Sequence, residues 1–170
     1  MQRIIVTGAT SMIGVALIEE CIKHGTEVYA VVREGSEKRS RLPESSLIKF
    51  VDCSLEHLDR LPEMIPQECD TFYHIAWGNT GENRNSSTER QSRNIGYTLA
   101  AVKAAAALGC KRFIGAGSQA EYGLLDLDRI SPESAANPTT PYGAAKLASG
   151  YLARMLCREL GIECIWPRIF

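Results

Sequence analysis

Three features that would indicate other classes of protein are missing from this sequence of 170 residues. The charges nearly cancel, with 19 Lys and Arg against 20 Asp and Glu, so we expect no electrostatic binding of nucleic acid. No apolar run approaches the roughly 20 residues of a membrane span. An apolar run follows Met1-Gln2-Arg3 directly, which leaves no room for a signal peptide. These absences predict a cytoplasmic globular protein that binds neither nucleic acid nor membranes.

The six cysteines show none of the spacings that build a metal or redox site. No C-x-x-C pair occurs, and no cysteine stands at zinc-ligand spacing from a histidine. Most of the cysteines lie inside apolar segments. We therefore predict reduced and mostly buried thiols and no bound metal.

Apolar runs typical of strands alternate with segments of helical spacing along the whole chain. The pattern predicts strands at 3–7, 27–32, 47–51, 70–76, 111–116 and 162–170. It predicts helices at 12–24, 55–64, 94–108 and 142–160, with the polar segment 78–93 and the proline-containing segment 123–141 as loops. Such alternation requires an α/β fold, with a doubly wound parallel sheet covered by helices on both faces. Because the chain stops on an apolar strand, we expect it to be the N-terminal portion of a longer protein.

A turn of small residues joins the first strand to the first helix and has the character of a pyrophosphate site. Free amides and the helix dipole point at an anion there, and the glycines permit a tight turn and close packing of helix on strand. The turn resembles the glycine fingerprint of short-chain dehydrogenases, especially the extended class that acts on nucleotide sugars. Ser11 replaces the middle glycine of that pattern and either narrows the approach to the pyrophosphate or supplies a hydroxyl donor. The residues predicted to bind the cofactor here are Gly8, Thr10, Ser11, Met12, Ile13 and Gly14.

The residue after the second strand predicts which dinucleotide binds. A site for NAD has an acid at this position to accept from the ribose hydroxyls, whereas this chain has Arg33. A guanidinium suits a 2′-phosphate, and Lys38, Arg39 and Arg41 add positive charge nearby. We therefore predict NADP as the preferred cofactor, with NAD still possible. The alternative is that Arg33 is solvated or stacks on the adenine.

The same resemblance implies further cofactor contacts at two strand ends. Asp52, followed by Cys53, matches the position that contacts the adenine amino group, although a turn-forming Asp is an equally good interpretation. Ala76, Trp77 and Gly78 match the segment that lines the cofactor after the fourth strand. Trp77 is larger than the residue usual there and is expected to shape the substrate side.

A second group of residues carries a pattern of acid–base chemistry. Tyr142 and Lys146 lie one helical turn apart and share a face, where an ammonium group favours the phenolate and so proton exchange with a substrate oxygen. Ser118 follows the fifth strand, at the edge of the sheet where such folds bind ligands. In order and spacing these three residues resemble the Ser-Tyr-Lys triad of short-chain dehydrogenases. The resemblance implies that Asn94 supports Lys146 through water, and that Tyr142 and Lys146 also contact the cofactor.

The resemblance extends over the whole chain and implies a Rossmann-like three-layer αβα sandwich. Residues 1–170 would form the NAD(P)-binding domain, with the substrate-binding part following. The dehydratases of this class carry acids after the serine, but Gln119 and Ala120 occupy those positions and Glu121 comes one place too late. Three interpretations remain open: reduction of a 4-keto nucleotide sugar, 4-epimerisation of a nucleotide sugar with retained NAD, and non-catalytic binding of NADP by a regulatory protein. The resemblance also implies a homodimer, in which helices 94–108 and 142–160 pair through residues that include Leu147, Tyr151 and Met155.

Overall fold

A computed structural model describes residues 2–125 and 129–170, and its main element is a parallel sheet of six strands. In chain order the strands are β1 Arg3–Thr7, β2 Glu27–Val32, β3 Ile48–Asp52, β4 Thr71–His74, β5 Arg112–Gly115, β6 Gly117–Ser118, β7 Glu163–Ile165 and β8 Arg168–Ile169. The large sheet has the order β3-β2-β1-β4-β5-β7. Strands β6 and β8 form a separate parallel pair beyond its edge. The strand order reverses direction at β1, and β1 and β4 are neighbours, so their carboxyl ends define a crevice where such sheets bind ligands.

The helices cover both faces of the sheet. They are α1 Met12–Lys23, α2 Leu61–Met64, α3 Thr88–Ala107 and α4 Pro141–Glu159, and 3₁₀ helices occur at Glu37–Arg41, Leu55–Arg60, Glu82–Asn85 and Gln119–Glu121. One core lies under α1 and contains Ile4, Val6 and Ile18. The other lies under α3 and α4 and contains Phe72 and Phe113. These layers confirm the predicted doubly wound sandwich.

Two properties of the described residues bear on the predictions from composition. Within residues 2–125 and 129–170, no helix is long and apolar enough to span a bilayer. All six cysteines are free, and four of them are buried, namely Cys53, Cys69, Cys110 and Cys157. The thiols are therefore unpaired and mostly buried, as expected.

The start of α3 differs from the prediction by six residues. The helix begins at Thr88, so the last six residues of the predicted loop 78–93 are helical. Its inward-facing residues in this region are Gln91 and Asn94, which are buried polar side chains. Because their amides bond to the loop after β4, the inner face is polar, and the apolar spacing that indicates a helix is absent.

The last predicted strand is divided into β7 and β8. Trp166 and Pro167 lie between them, and proline has no N–H to continue a ladder. The carbonyl of Pro167 instead accepts from the amide of Gly117 at 2.9 Å. This break moves the chain from the large sheet to β6, which carries Ser118.

Candidate active site

The turn between β1 and α1 is closed tightly by two glycines. Gly8 has φ +70°, and a Cβ there would lie 2.7 Å from the amide nitrogen of Ala76. A Cβ on Gly14 would overlap the carbonyl oxygen of Gly8. Ser11 is the N-cap residue of α1, and its Oγ accepts from the amide of Gly14 at 3.1 Å. The serine therefore caps the helix, and the other amides of the first turn have no acceptor within the helix, which is the general basis of anion binding at a helix N-terminus.

A cavity of about 530 Å³ opens at the carboxyl ends of β1, β2 and β4. It is lined by eight of the predicted cofactor residues: Gly8, Thr10, Ser11, Arg33, Cys53, Ala76, Trp77 and Gly78. Leu55 and Leu58 add an apolar wall that no motif indicated. Six other predicted residues are not part of the lining: Met12, Ile13, Gly14, Asp52, Tyr142 and Lys146.

Positive charge is concentrated at one end of this cavity. Arg33, Lys38 and Arg41 line it, and Nη1 of Arg41 donates to the carbonyl of Thr10 at 3.3 Å. The loop after β2 is thereby attached to the phosphate turn. Glu56 also lines the cavity and contributes one negative charge. These residues offer cationic donors where the sequence predicted a 2′-phosphate.

Asp52 has a protein partner that the sequence analysis did not predict. Its carboxylate forms an ion pair with Arg39, and the guanidinium of Arg39 also lies 5.2 Å from the ring centre of Phe50. The predicted contact of Asp52 with the adenine stays a prediction.

Tyr142 and Lys146 are placed by the first turns of α4. Thr140 caps this helix, with its Oγ1 accepting from the amide of Gly143 at 3.1 Å, and Pro141 occupies the first turn. Tyr142 is partly buried, whereas Lys146 is only 4% exposed. Nζ of Lys146 donates to the carbonyl of Ala116 at 2.6 Å and lies 5.9 Å from the ring centre of Tyr142.

The indole of Trp77 covers the ammonium group of Lys146. The distance from Nζ to the centre of the indole is 3.7 Å, and the ring meets Tyr142 edge to face at 6.0 Å. Nε1 of Trp77 donates to Gln91 Oε1 at 2.9 Å, which fixes the orientation of the ring. On the other side of Tyr142, the guanidinium of Arg84 lies 5.0 Å from the phenol ring centre. The tyrosine is thus close to two cations.

Burial perturbs two basic groups beneath this site. Burial lowers the pKa of Lys146 to about 7, and the charge of Glu121 opposes this shift. Burial also lowers the pKa of His74 to about 3, with a smaller contribution from the charge of Lys146. Nδ1 of His74 lies 2.9 Å from Thr7 Oγ1. The histidine is therefore a neutral structural group, whereas Lys146 can exchange a proton near neutral pH.

Ser118 lies at the start of a short capped turn that contacts α4. Its Oγ accepts from the amide of Ala120 at 3.2 Å, and its own amide donates to Glu121 Oε1 at 2.9 Å. A Cβ on Gly143 would overlap the carbonyl oxygen of Ala120, so this turn lies directly against the residue after Tyr142. The structure thus brings the Ser118 turn beside the Tyr142 end of α4.

Asn94 is buried below the loop that follows β4. Its Oδ1 accepts from the amide of Gly78 at 2.6 Å, and its Nδ2 donates to the carbonyl of Gly78 at 3.2 Å and of Gln91 at 3.3 Å. Asn94 therefore holds the Trp77–Gly78 segment in place. Its water-mediated support of Lys146 stays a prediction.

Three residues of this site were not recognised in the sequence as parts of it. Gln91 was assigned to a loop, Arg84 carried no motif, and Glu121 was read only as a misplaced acid. Gln91 and Arg84 lie in a polar segment without periodicity. Glu121 did carry a local signal, since Ser118 and Glu121 have the spacing of a capping box.

The order of the strands and the glycine turn define the fold class of this protein. A parallel sheet with the order 3-2-1-4-5 and a glycine turn leading into α1 is the dinucleotide-binding Rossmann fold. Residues 4–170 match the NAD dependent epimerase/dehydratase family, and the chain belongs to this family. The resemblance seen in the sequence is confirmed.

Individual relatives are distant and longer than this chain. A dTDP-6-deoxy-L-talose 4-dehydrogenase (NAD(+)) of Aggregatibacter actinomycetemcomitans is 27% identical over 145 residues, which is 85% of this chain and 52% of the relative. A UDP-glucose 4-epimerase of Streptomyces lividans is 24% identical over 149 residues, 87% of this chain and 45% of the relative. The chain thus spans about half the length of the curated relatives it matches.

Solved structures repeat the fold. The UDP-Glc/GlcNAc 4-epimerase of Campylobacter jejuni superposes with a TM-score of 0.86 at 21% identity, covering 100% of this chain and 54% of that one. A UDP-galactose 4-epimerase gives 0.85 at 23% identity, covering 98% of this chain and 55% of that one. The TM-scores establish the shared fold, and at identities below 25% the comparison shows the fold alone.

Proposed function

We propose that this chain forms the cofactor-binding half of an enzyme that transfers hydride at C4 of a nucleotide-linked sugar, and that its reaction is reduction of a 4-keto sugar. The observation that carries the proposal is the position of Lys146. Its ammonium group is buried between the Trp77 indole and the Ala116 carbonyl, one turn from Tyr142. The names of the two relatives, a 4-dehydrogenase and a 4-epimerase, support chemistry at C4.

The side chains have distinct roles in this proposal. A bound nicotinamide cofactor supplies the hydride. Tyr142 donates a proton to the C4 oxygen as the carbonyl is reduced. Lys146 favours the ionised tyrosine that remains, and Ser118 donates a hydrogen bond to the same oxygen and stabilises its developing charge.

We also propose that NADP is preferred over NAD. Arg33, Lys38 and Arg41 line the cavity end where an adenosine ribose would lie, and guanidinium groups bind phosphate with paired donors. The name of the Aggregatibacter relative specifies NAD(+), so titration with both cofactors is the direct test. We expect NADPH to bind at least tenfold more tightly than NADH, a difference of about 1.4 kcal/mol. Arg33→Ser removes most of this preference, and Arg93→Ser, at an exposed position of α3, leaves it unchanged.

The second candidate is a 4-epimerase that retains NAD. The UDP-glucose 4-epimerase among the relatives favours it. The two reactions differ in stoichiometry, because a reductase consumes its cofactor as product forms and an epimerase shows no net consumption. The third candidate, a regulatory protein that binds NADP without turnover, predicts cofactor binding and no product.

The activity of the purified protein is measured with two probe substrates. One is dTDP-6-deoxy-L-talose with NADP⁺ or NAD⁺, which runs a 4-keto reduction in reverse, and the other is UDP-galactose without added cofactor. Reduced nicotinamide formed in step with the first supports the reductase, and UDP-glucose formed from the second supports the epimerase. Tyr142→Phe lowers turnover by about 10²- to 10⁴-fold and preserves cofactor binding. Tyr151→Phe, on the same helix, is the matched control, and full activity of Tyr142→Phe would refute the mechanism.

We also propose that the protein forms a homodimer through α3 and α4. Tyr151 and Met155 on α4 are 49% and 55% exposed, and Leu152 between them is 40% exposed, while Leu147 is partly buried. Apolar side chains on one helix surface are typical of a subunit interface. Met155→Glu is expected to convert a dimer to a monomer in sedimentation, and a monomeric wild-type protein would refute the proposal.

We also propose a cytoplasmic location. The six free cysteines are in the state that a reducing compartment maintains. Cell fractionation tests it, and recovery outside the cytoplasm would contradict it.

A further inference from the structure

We propose that Glu121 is a positioning residue for Ser118, whose buried carboxylate fixes the Ser118 backbone and thereby orients the hydroxyl toward the substrate oxygen. The inference rests on the proposed function, since that function gives Ser118 its role. Glu121 acts through Ser118 and has no assigned contact with substrate or cofactor.

The carboxylate of Glu121 is buried and accepts hydrogen bonds from three donors. Its residue is 1% exposed. Oε1 accepts from the Ser118 amide at 2.9 Å and from Nε1 of Trp166 at 3.0 Å, and Oε2 accepts from Nε of Arg168 at 2.8 Å. A buried carboxylate persists when it is paired and hydrogen-bonded in this way. Glu121 is therefore held in one position, and so is the amide of Ser118.

The same turn determines where the hydroxyl of Ser118 can point. Ser118 Oγ accepts from the Ala120 amide at 3.2 Å, so the oxygen is fixed relative to the turn. One lone pair is used by this bond, and the O–H remains available to donate. A hydroxyl held in this way is preorganised as a donor to a carbonyl or alkoxide oxygen.

Trp166 holds the carboxylate from behind because three glycines leave space for its indole. A Cβ on Gly115 would overlap the ring, and a Cβ on Gly117 or Gly150 would each lie 2.7 Å from Nε1. The absence of side chains at these positions lets the indole lie between β5, β6 and α4, where its N–H reaches Glu121. The contact is thus built by four separate positions of the sequence.

Arg168 connects Glu121 to the strand that pairs with Ser118. Strand β8 runs beside β6, with Arg168 opposite Gly117 and Ile169 opposite Ser118. A capping glutamate on a surface turn would need none of these partners. Glu121 is buried, accepts from three donors and is linked to the strand that pairs with Ser118. We infer from this combination that its function is to hold Ser118 in position.

The experiment compares two double variants that both lack the ion pair. Glu121→Gln with Arg168→Gln (the glutamine pair) keeps an acceptor for the Ser118 amide. Glu121→Leu with Arg168→Leu (the leucine pair) has no acceptor for it. We expect the leucine pair to lower kcat by about 10- to 100-fold relative to the glutamine pair, with equal Kd for the cofactor by calorimetry. In a Ser118→Ala background this difference should disappear, because the residue that transmits it is absent. Equal kcat for the two pairs, or a difference that persists in Ser118→Ala, would overturn the proposal.

A second measurement separates this proposal from the proposed function. Hydrogen exchange of the Ser118 amide is expected to be slow in the wild type and the glutamine pair and fast in the leucine pair. Unchanged exchange would also overturn the proposal, whereas absence of turnover in the wild type on both probe substrates would count against the proposed function alone. If the leucine pair does not fold, Glu121→Asp replaces it, since the shorter side chain keeps the charge and loses reach to the amide. Glu163→Gln, which removes an exposed ion pair with Arg112, is the matched control and leaves both readouts unchanged.

Discussion

Replacing Lys146 with methionine is expected to stabilise the protein at neutral pH while impairing its function. Burial lowers the pKa of Lys146 from 10.5 to about 7, and each pKa unit corresponds to about 1.4 kcal/mol. Burying this amine therefore lowers the stability of the folded state by about 4 kcal/mol near pH 7, relative to an unfolded chain in which the amine is hydrated and charged. The Trp77 indole, 3.7 Å from Nζ, favours the ammonium and offsets about 0.5–2 kcal/mol of this cost.

The sign of the pH dependence follows from proton counts. Between pH 7 and pH 10.5 the unfolded chain binds more protons at Lys146 than the folded chain does, so the contribution of this group to stability rises with pH. Methionine has no proton to bind, and the variant lacks this rise. The stability advantage of Lys146→Met over the wild type should therefore shrink by about 2–3 kcal/mol between pH 7 and pH 10.

Urea unfolding at the two pH values measures this change directly. Lys103→Met is the matched control, because Lys103 is exposed on α3 and its replacement should give the same difference at both pH values. In the same preparations, Lys146→Met should bind the cofactor more weakly, as the resemblance to short-chain dehydrogenases implies. A stability difference between Lys146→Met and wild type that is identical at pH 7 and pH 10 would refute the reasoning.

Three further predictions test other parts of the site. His74→Gln should remove an acid sensitivity of the fold, which urea unfolding measures. Because burial lowers the pKa of His74 to about 3, only the unfolded chain takes up a proton at this residue between pH 7 and pH 5. The free energy of unfolding of the wild type therefore falls by about 2 kcal/mol over this range. Gly14→Ala should destabilise by about 1–3 kcal/mol and weaken cofactor binding in calorimetry, because its Cβ overlaps the phosphate turn. Trp77→Leu removes the indole from Lys146, so the high-pH limb of turnover should move about half to one pH unit lower.

The first two predictions have matched control variants, and all three have an outcome that would contradict them. His24 is exposed at the end of α1, and His24→Gln should leave the acid sensitivity intact; equal sensitivity in His74→Gln would contradict the first prediction. Gly96 on α3 has open space for a Cβ, so Gly96→Ala should stabilise by about 0.5–1 kcal/mol, and a similar gain in Gly14→Ala would contradict the second. A pH profile unchanged in Trp77→Leu would show that the indole does not act on Lys146.

The sequence predicted most of the sheet because its inner strands β1, β2 and β4 are buried on both faces. Parallel strands of this kind appear as short apolar runs bounded by turn residues, and β1, β2 and β5 lie within a residue or two of their predicted limits. The start of α3 was wrong because periodicity detects apolar faces, and this helix begins with a polar face. Residues 162–170 were predicted as a single strand, whereas the chain leaves the large sheet at Pro167 and continues as β8. This division depends on pairing with β6, which is known only once the chain is folded.

The site divides in the same way between local and distant information. The sequence could suggest Gly8, Ser118, Tyr142 and Lys146 as candidates because their proposed chemistry depends on neighbours in sequence, namely a strand end, a turn or one helical turn. Glu121 could not be assigned, because two of its three donors lie 45 and 47 residues further along the chain.

Two buried charges in this site are compensated to different extents, and the difference bears on the chemistry. The carboxylate of Glu121 has three donors, one of which is the guanidinium of Arg168, so it is held in one fixed position. The ammonium of Lys146 has one carbonyl acceptor and an indole face, and burial brings its pKa to about 7. A group intended only to hold structure gains nothing from incomplete compensation, whereas a group that must support proton transfer works best with a pKa close to the ambient pH. In the proposed mechanism, the rigid charge therefore lies under Ser118, whose hydroxyl has to be positioned, and the labile charge lies beside Tyr142, whose hydroxyl has to exchange a proton.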